Sequence, residues 1–352
     1  MVLRKIDNNI NENDYLNNIE NANTNFINNF IENDFILPHE TPVEIHPYLE
    51  DVDIQSFKKY IIGTFPPMQY LRDTIEIPNN IGDVKVRPKI PYFHGQRCDM
   101  WQFFLTPAEL NEVGVFDSNN DDNTRLNQKN FIIQLLNFSS INYSDIIRST
   151  KRSEYDANDS SLYNIVPNLN LVVNILTNEK AEYLNFNTST LFNNGNDFGF
   201  YHNNYGINNI GDIQYKVQSY ELFLKVLSNL GFTLEAKLNP NDNWIQIQIE
   251  NEQYFIDNYK HKVFTKLRVS TKSLIVFENE EFKDFSREFK IITGPSPSAS
   301  ANVSLGNNPI YNNWLAEQDN INNVEPLTHI FRKEFYGLFR NNPDQLVNWN
   351  VY

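Results

Sequence analysis

Apolar residues recur along this chain in two rhythms. Short continuous or alternating runs predict strands at residues 56–62, from Ile141 to Ile147, from Ala181 to Phe186, from Trp244 to Ile249 and from Phe289 to Ile292. Helical spacing appears first at Ile19, Phe26, Ile27, Phe30 and Ile31, and again from Phe131 to Leu136. It returns in the stripe Ile213, Val217, Tyr220, Leu224 and Leu227, ended by Gly231, and from Ile330 to Phe339. The segment Trp101 to Leu105 starts or covers a helix. Asn168 is placed to cap a helix running through Leu176, and Asp159-Ser160-Ser161 a shorter one before Pro167. Residues 68–90 read as an exposed polar loop, and the Asn- and Asp-rich stretch 111–128 as disordered.

Strands alternating with helices predict an α/β protein, three-layer α/β/α, around a central mostly parallel sheet. The expected division is an acidic, Asn-rich helical extension over residues 1–54 and a main domain over 55–352. Within the main domain, 191–285 forms an insertion or an enlarged sheet edge before the last core strand. No internal repeat is visible.

Two of the predicted strands end in stiff loops. Tyr60-Ile61-Ile62 runs into Gly63-Thr64-Phe65-Pro66-Pro67, and Phe289 to Ile292 runs into Thr293-Gly294-Pro295-Ser296-Pro297-Ser298-Ala299-Ser300. Glycine permits a close approach, and proline forbids continuation of the ladder. Open α/β sheets place their binding crevices at such strand ends. The first loop alone is also what an ordinary strand exit looks like; the pair is more informative.

The order and spacing of these segments resemble the uracil-DNA glycosylase superfamily, which has a first loop of the GQDPYH, GINPG or GSFPG kind and a last loop of the HPSPLS kind. Pro91-Tyr92-Phe93-His94-Gly95-Gln96-Arg97-Cys98-Asp99-Met100-Trp101 is similar to the "YYxxPRNxFW" segment of the hypoxanthine and mismatch-specific branches. Tyr143 to Ile147 and Arg152 to Asp156 look like the strand and polar loop that read the base. The likeness covers roughly residues 55–190 and 286–303.

The resemblance implies a cofactor-free enzyme without a metal site, which extrudes one base from DNA and hydrolyses its N-glycosidic bond. Such a reaction builds positive charge on the sugar and negative charge on the base, which carboxylates and hydrogen-bond donors can stabilise. By position in the motifs, Gly63, Thr64 and Pro66 would pinch the DNA backbone together with Ser296, Ser298 and Ser300. Arg148 and Arg152 would meet phosphate, or form a solvated face. Phe65, Tyr92, Phe93, Asp145 and Asn187 would surround the base, with Phe93, or Tyr92 beside it, as the stacking ring.

The chain also departs from the family's pattern. Phe65 stands where many members carry the water-positioning Asp or Asn, and Gly294 where many carry a His. Cys98 replaces the Asn of "PRNxFW". Asp99 beside it is the candidate water-holder, or else a surface acid next to a buried Trp. Asp145 stands where the uracil enzymes carry an Asn. An ionised Asp only accepts hydrogen bonds, so it favours a base that presents a donor, such as a modified cytosine or hypoxanthine, over uracil. Its other reading is a cap on a neighbouring loop.

The formal charge of −15 opposes DNA binding, since phosphate contacts need Lys and Arg. Residues 1–55 hold eleven acids against Arg4 and Lys5, a balance of −9 that leaves −6 for the other 297 positions. Lys260, Lys262, Lys266, Arg268 and Lys272 form either a local basic patch or a solvated strand face. A single cysteine excludes an intramolecular disulfide and suits a reducing cytosol. No apolar run approaches the roughly 20 residues that span a bilayer, and the polar N-terminus predicts no secretory leader. The six His show no metal-ligand spacing, and neither a phosphate-binding Gly-rich loop nor a G-x-S-x-G elbow is present.

The expectation is a monomeric, cytoplasmic DNA glycosylase, on the nucleoid when bound to DNA, serving base-excision repair or antiviral defence. The alternatives are a catalytically silent module of the same fold that binds nucleic acid or protein, and a hydrolase of free nucleosides.

Overall fold

A computed structural model describes residues 4–5, 44–49, 57–66, 88–152 apart from 96, 162–187, 219–247, 264–277, 280–297, 305–306, 309–318 and 325–349. Its central sheet is built, in chain order, from β1 (Lys59–Gly63), β2 (Ile141–Asp145), β3 (Tyr183–Asn187), β4 (Thr233–Lys237), β5 (Ile245–Ile247), β6 (Lys266–Thr271) and β7 (Phe285–Gly294). Their order across the sheet is β2-β1-β3-β7-β6-β4-β5. The first four are mutually parallel, and β6, β4 and β5 continue the sheet antiparallel from β7. The chain is thus an α/β protein whose parallel strands all deliver their carboxyl ends to one edge.

Side-chain alternation along the parallel strands supplies two cores. On one face Tyr60, Ile62, Leu184, Phe186, Phe289 and Ile291 pack with residues of α4 (Leu169–Thr177) and α5 (Ser219–Asn229). On the other, Ile61, Ile141, Tyr143, Tyr183 and Ile292 meet α1 (Asp99–Phe104), α3 (Asp122–Phe138), α7 (Leu327–Asn341) and α8 (Pro343–Trp349). Each fully buried Ile, Leu or Phe contributes roughly 1.5–3 kcal/mol, so both helical layers are held by the sheet between them. A smaller cluster joins Tyr311 and Trp314 of α6 (Pro309–Ala316) to Phe331 of α7. Among the described residues, no helix is long and apolar enough to cross a membrane.

Local sequence explains the starts of three helices. Asn168 accepts a hydrogen bond from the Leu171 N–H and caps α4. The disorder expected over 111–128 is not what the chain adopts. Thr106 and Glu109 form a reciprocal capping box that starts α2 (Pro107–Val113), and Asp121 caps α3 by accepting from Thr124. The short helix expected before Pro167 is instead the strand Leu162–Pro167. It pairs antiparallel with Ile147–Arg152, which in turn pairs with Glu44–Ile45. The helices expected from Ile19 to Ile31 lie outside the described residues. In the described parts of the first 54 residues, Arg4–Lys5 pairs with Ile275–Val276 and Glu44–Ile45 with Ser149–Thr150, and residues 46–49 follow as a turn.

The region expected to be an insertion or enlarged edge supplies α5, β4, β5 and β6 within its described residues. There Arg268 pairs with Glu288 on β7 (2.6 Å) and with Glu235 on β4 (3.2 Å), while its guanidinium lies 4.0 Å from the Trp244 ring centre. Both acids are its direct cross-strand neighbours. This part of the basic run is a neutralised strand face.

Candidate active site

Register determines which residues meet at the carboxyl edge. Gly63 pairs with Asp145, and Gly294 with Asn187. Ile62 and Thr293 pair with Phe186 from its two sides, so one residue further on Gly63 and Gly294 flank Asn187. The two stiff loops therefore leave the same edge, separated by a single strand. With a side-chain period of two, Asp145, Gly63, Asn187 and Gly294 form one row on the face that carries Tyr143, Ile61, Asn185 and Ile292 below it.

The glycines make room for the protein's own polar groups. A Cβ on Gly63 would stand 2.1 Å from Asp145 Oδ1 and 3.1 Å from the Tyr143 hydroxyl. A Cβ on Gly294 would stand 2.7 Å from Asn185 Oδ1 and 2.9 Å from the Phe335 ring.

Asp145 is buried, and its Oδ2 lies 2.9 Å from His46 Nε2. The imidazole has no exposed side-chain surface. Its Nδ1 accepts the Tyr48 N–H at 3.1 Å, and its backbone N–H donates to the Arg148 carbonyl. Asn168 pins the same strand end by donating Nδ2 to the Asp145 carbonyl (3.0 Å) and to Ser144 Oγ (3.3 Å). The first loop runs alongside, with Ile146 N–H donating to the Gly63 carbonyl and Ile147 N–H to that of Thr64.

Rings close over this carboxylate. His46 packs at 5.6 Å on Phe65 and 5.1 Å on Phe93, and Phe93 also meets Tyr48 and Tyr143. The Tyr143 hydroxyl is hydrogen-bonded to His94 Nε2. Burial, reinforced by the Asp145 charge, holds the Tyr143 hydroxyl well above its ordinary 10.0. Burial pushes His94 down, against the charges of Asp145 and Asp99. At neutral pH both members are therefore uncharged.

The second loop is held by α7. Tyr336 donates its hydroxyl to the Pro295 carbonyl (2.7 Å), and Arg332 donates Nε to that of Ser296 (2.9 Å). Burial lowers the Arg332 guanidinium from its usual value, opposed among others by the charge of Asp99. On β3, Asn185 Nδ2 reaches Asn187 Oδ1 at 3.4 Å.

The structure thus brings together Gly63, Phe65, Phe93, Asp145, Asn187 and Gly294, with Thr64 and Pro66 continuing the first loop and Ser296 the second. Tyr92 stacks on Trp101 at 5.7 Å and meets Phe93 edge-on at 5.0 Å. Asp99 opens α1 half-buried, and its charge reaches both His94 and Arg332. Cys98 is fully buried beside it, its thiol pushed up to about 12 by burial. Arg148 is exposed, and Arg152 ends the strand Ile147–Arg152. Ser298 and Ser300 lie outside the described residues.

Sequence reasoning missed His46, Tyr336 and Arg332. His46 sits in an acid-rich segment 99 positions from its partner, without any local pattern to mark it. Tyr336 and Arg332 read as one face of an amphipathic helix. Among the described residues, no group of three or more His, Cys, Asp or Glu is placed to hold a metal ion.

Compared with protein-family models, with curated proteins and with solved structures, the chain matches none.

Proposed function

We propose that this chain is a DNA glycosylase acting on a damaged or modified base, with modified cytosine or hypoxanthine preferred to uracil. The observation that carries the reading is the exit of the Gly63 and Gly294 loops from one sheet edge, on either side of Asn187 and beside Asp145. Two stiff loops at that separation suit a strand pinched around one extruded nucleotide. Asp145 and Asn187 would read the base, and Phe65 and Phe93 would stack against it. Thr64, Pro66 and Ser296 would meet the backbone, with Arg148 near phosphate. Asp99, whose charge reaches His94 and Arg332, would hold water. Repair and antiviral defence remain equal settings for such an activity, in the cytoplasm or on the nucleoid, with the chain acting as a monomer.

A second reading, a catalytically silent binding module, is favoured by one feature. Phe65, Phe93 and Asp145 are 7%, 3% and 6% exposed, so internal packing alone accounts for them. Incubating the protein with oligonucleotides that each carry one test base, then treating with alkali, separates the two. Strand scission at one modified base supports the enzyme; binding without scission anywhere supports the silent module.

A further inference from the structure

The contact between His46 and Asp145 bears on which bases the site accepts; this inference rests on the glycosylase reading and, of the two preferred bases named there, keeps modified cytosine and sets hypoxanthine aside. The Tyr48 backbone N–H can only donate, and it points at His46 Nδ1 at 3.1 Å. Nδ1 must therefore offer its lone pair, so a neutral imidazole carries its hydrogen on Nε2. That hydrogen faces Asp145 Oδ2 at 2.9 Å. Oδ2 is then an acceptor and not the oxygen that bears a proton. A hydrogen on Nδ1 would face the Tyr48 N–H donor to donor, so this one backbone amide selects the tautomer.

The other oxygen, Oδ1, lies against Gly63, which the Tyr143 hydroxyl also approaches; that hydroxyl is joined to His94. The titratable groups around Asp145 are thus His46 on the N-terminal segment, Tyr143 on its own strand and His94 on the turn before α1. A carboxylate in this setting takes hydrogen bonds and gives none.

We infer that His46 is a positioning residue that fixes Asp145 as a pure acceptor, making the site selective for a base bearing an exocyclic amine, of the cytosine or adenine class, over its keto counterpart. A ring N–H also donates, but in uracil and hypoxanthine it is flanked by carbonyl oxygen, which a carboxylate repels. An exocyclic amine projects beyond the ring and meets the acceptor first. Burial of the pair makes a mismatched contact costly, because the unpaired group has no water to turn to.

The test uses the full chain and duplexes that each carry cytosine, 5-methylcytosine, adenine, uracil or hypoxanthine on a 2′-fluoro sugar that resists hydrolysis, with binding read by fluorescence anisotropy. Wild type should bind amine-bearing bases about tenfold or more tighter than the keto partners. His46→Gln, whose Nε2 can donate from the same place, should keep the preference, and His46→Leu should lose it. Should His46→Leu not fold, Asp145→Asn carries the test, since its amide adds a donor and should cancel the preference. Imidazole ¹⁵N resonances give an independent reading of the tautomer. An unchanged preference in both variants, no preference in wild type, or a His46 protonated on Nδ1 overturns the inference. Amine selectivity without base release from natural sugars sinks the glycosylase reading and leaves this one standing; release without amine selectivity does the reverse.

Discussion

Asp145 Oδ1 occupies the space in which a side chain on Gly63 would begin, 2.1 Å from the position of its Cβ. The residues are direct partners on parallel strands, and neither backbone can retreat without breaking the ladder. Gly63→Ala should therefore destabilise the protein by about 1–3 kcal/mol or more. Gly294→Ala, whose nearest neighbours are side chains at 2.7 and 2.9 Å, should fall at the low end of that range. Urea unfolding of the two variants checks the order, and a neutral Gly63→Ala would contradict it.

Tyr336→Phe removes the hydroxyl that donates to the Pro295 carbonyl while keeping the ring. Leaving that buried acceptor unpaired should cost about 1–3 kcal/mol. Amide exchange at Ser296 should quicken, with little change at the centre of β7. Equal acceleration along the whole strand would mean that Tyr336 supports the sheet and not the loop.

Glu109 on α2 and Arg340 on α7 form a two-pronged ion pair at 2.6 and 2.7 Å. The hydrogen bonds from Arg340, ahead of the opposing cost of burial, bring the Glu109 carboxyl from its ordinary 4.5 to about 2. A carboxyl depressed in the folded state gives its full stabilisation above 4.5 and loses it as pH falls toward 2. Stability should decline across that window, and Glu109→Gln should flatten the decline while lowering stability at pH 7 by about 1.5–3 kcal/mol. Urea midpoints measured from pH 2.5 to 7 on both proteins decide it.

Arg268 is engaged by two acids and an indole. Arg268→Ala should cost no more than about 1 kcal/mol for each partly exposed pair, and less in high salt. DNA affinity should not change. A large fall in affinity would restore this strand face as a phosphate contact.

The parallel half of the sheet was legible because each of its strands is an apolar run with a hard stop. The runs ending at Gly63, Asn187 and Gly294 place three of the four strand ends. The second strand was read through to Ile147, whereas β2 stops at Asp145 and the chain re-forms as Ile147–Arg152 in another sheet. Hydrophobicity continues across that break, so periodicity could not reveal it. The helices at 107–113 and 122–138 were hidden by Asn- and Asp-rich composition, although Thr106-x-x-Glu109 and Asp121 signalled both starts. Asp145 could be named from its place in a motif. His46 could not, because only the pairing of Glu44–Ile45 with Ser149–Thr150 carries it there.

The grip of α7 on the second loop has a consequence for synthesis. Ser296 and Pro295 leave the ribosome 36 and 41 residues ahead of Arg332 and Tyr336, the side chains that clamp their carbonyls. A chain that stops before α7 lacks both of these donors, so the second loop loses the two side chains that hold its carbonyls. Assembly of the cleft therefore waits for α7.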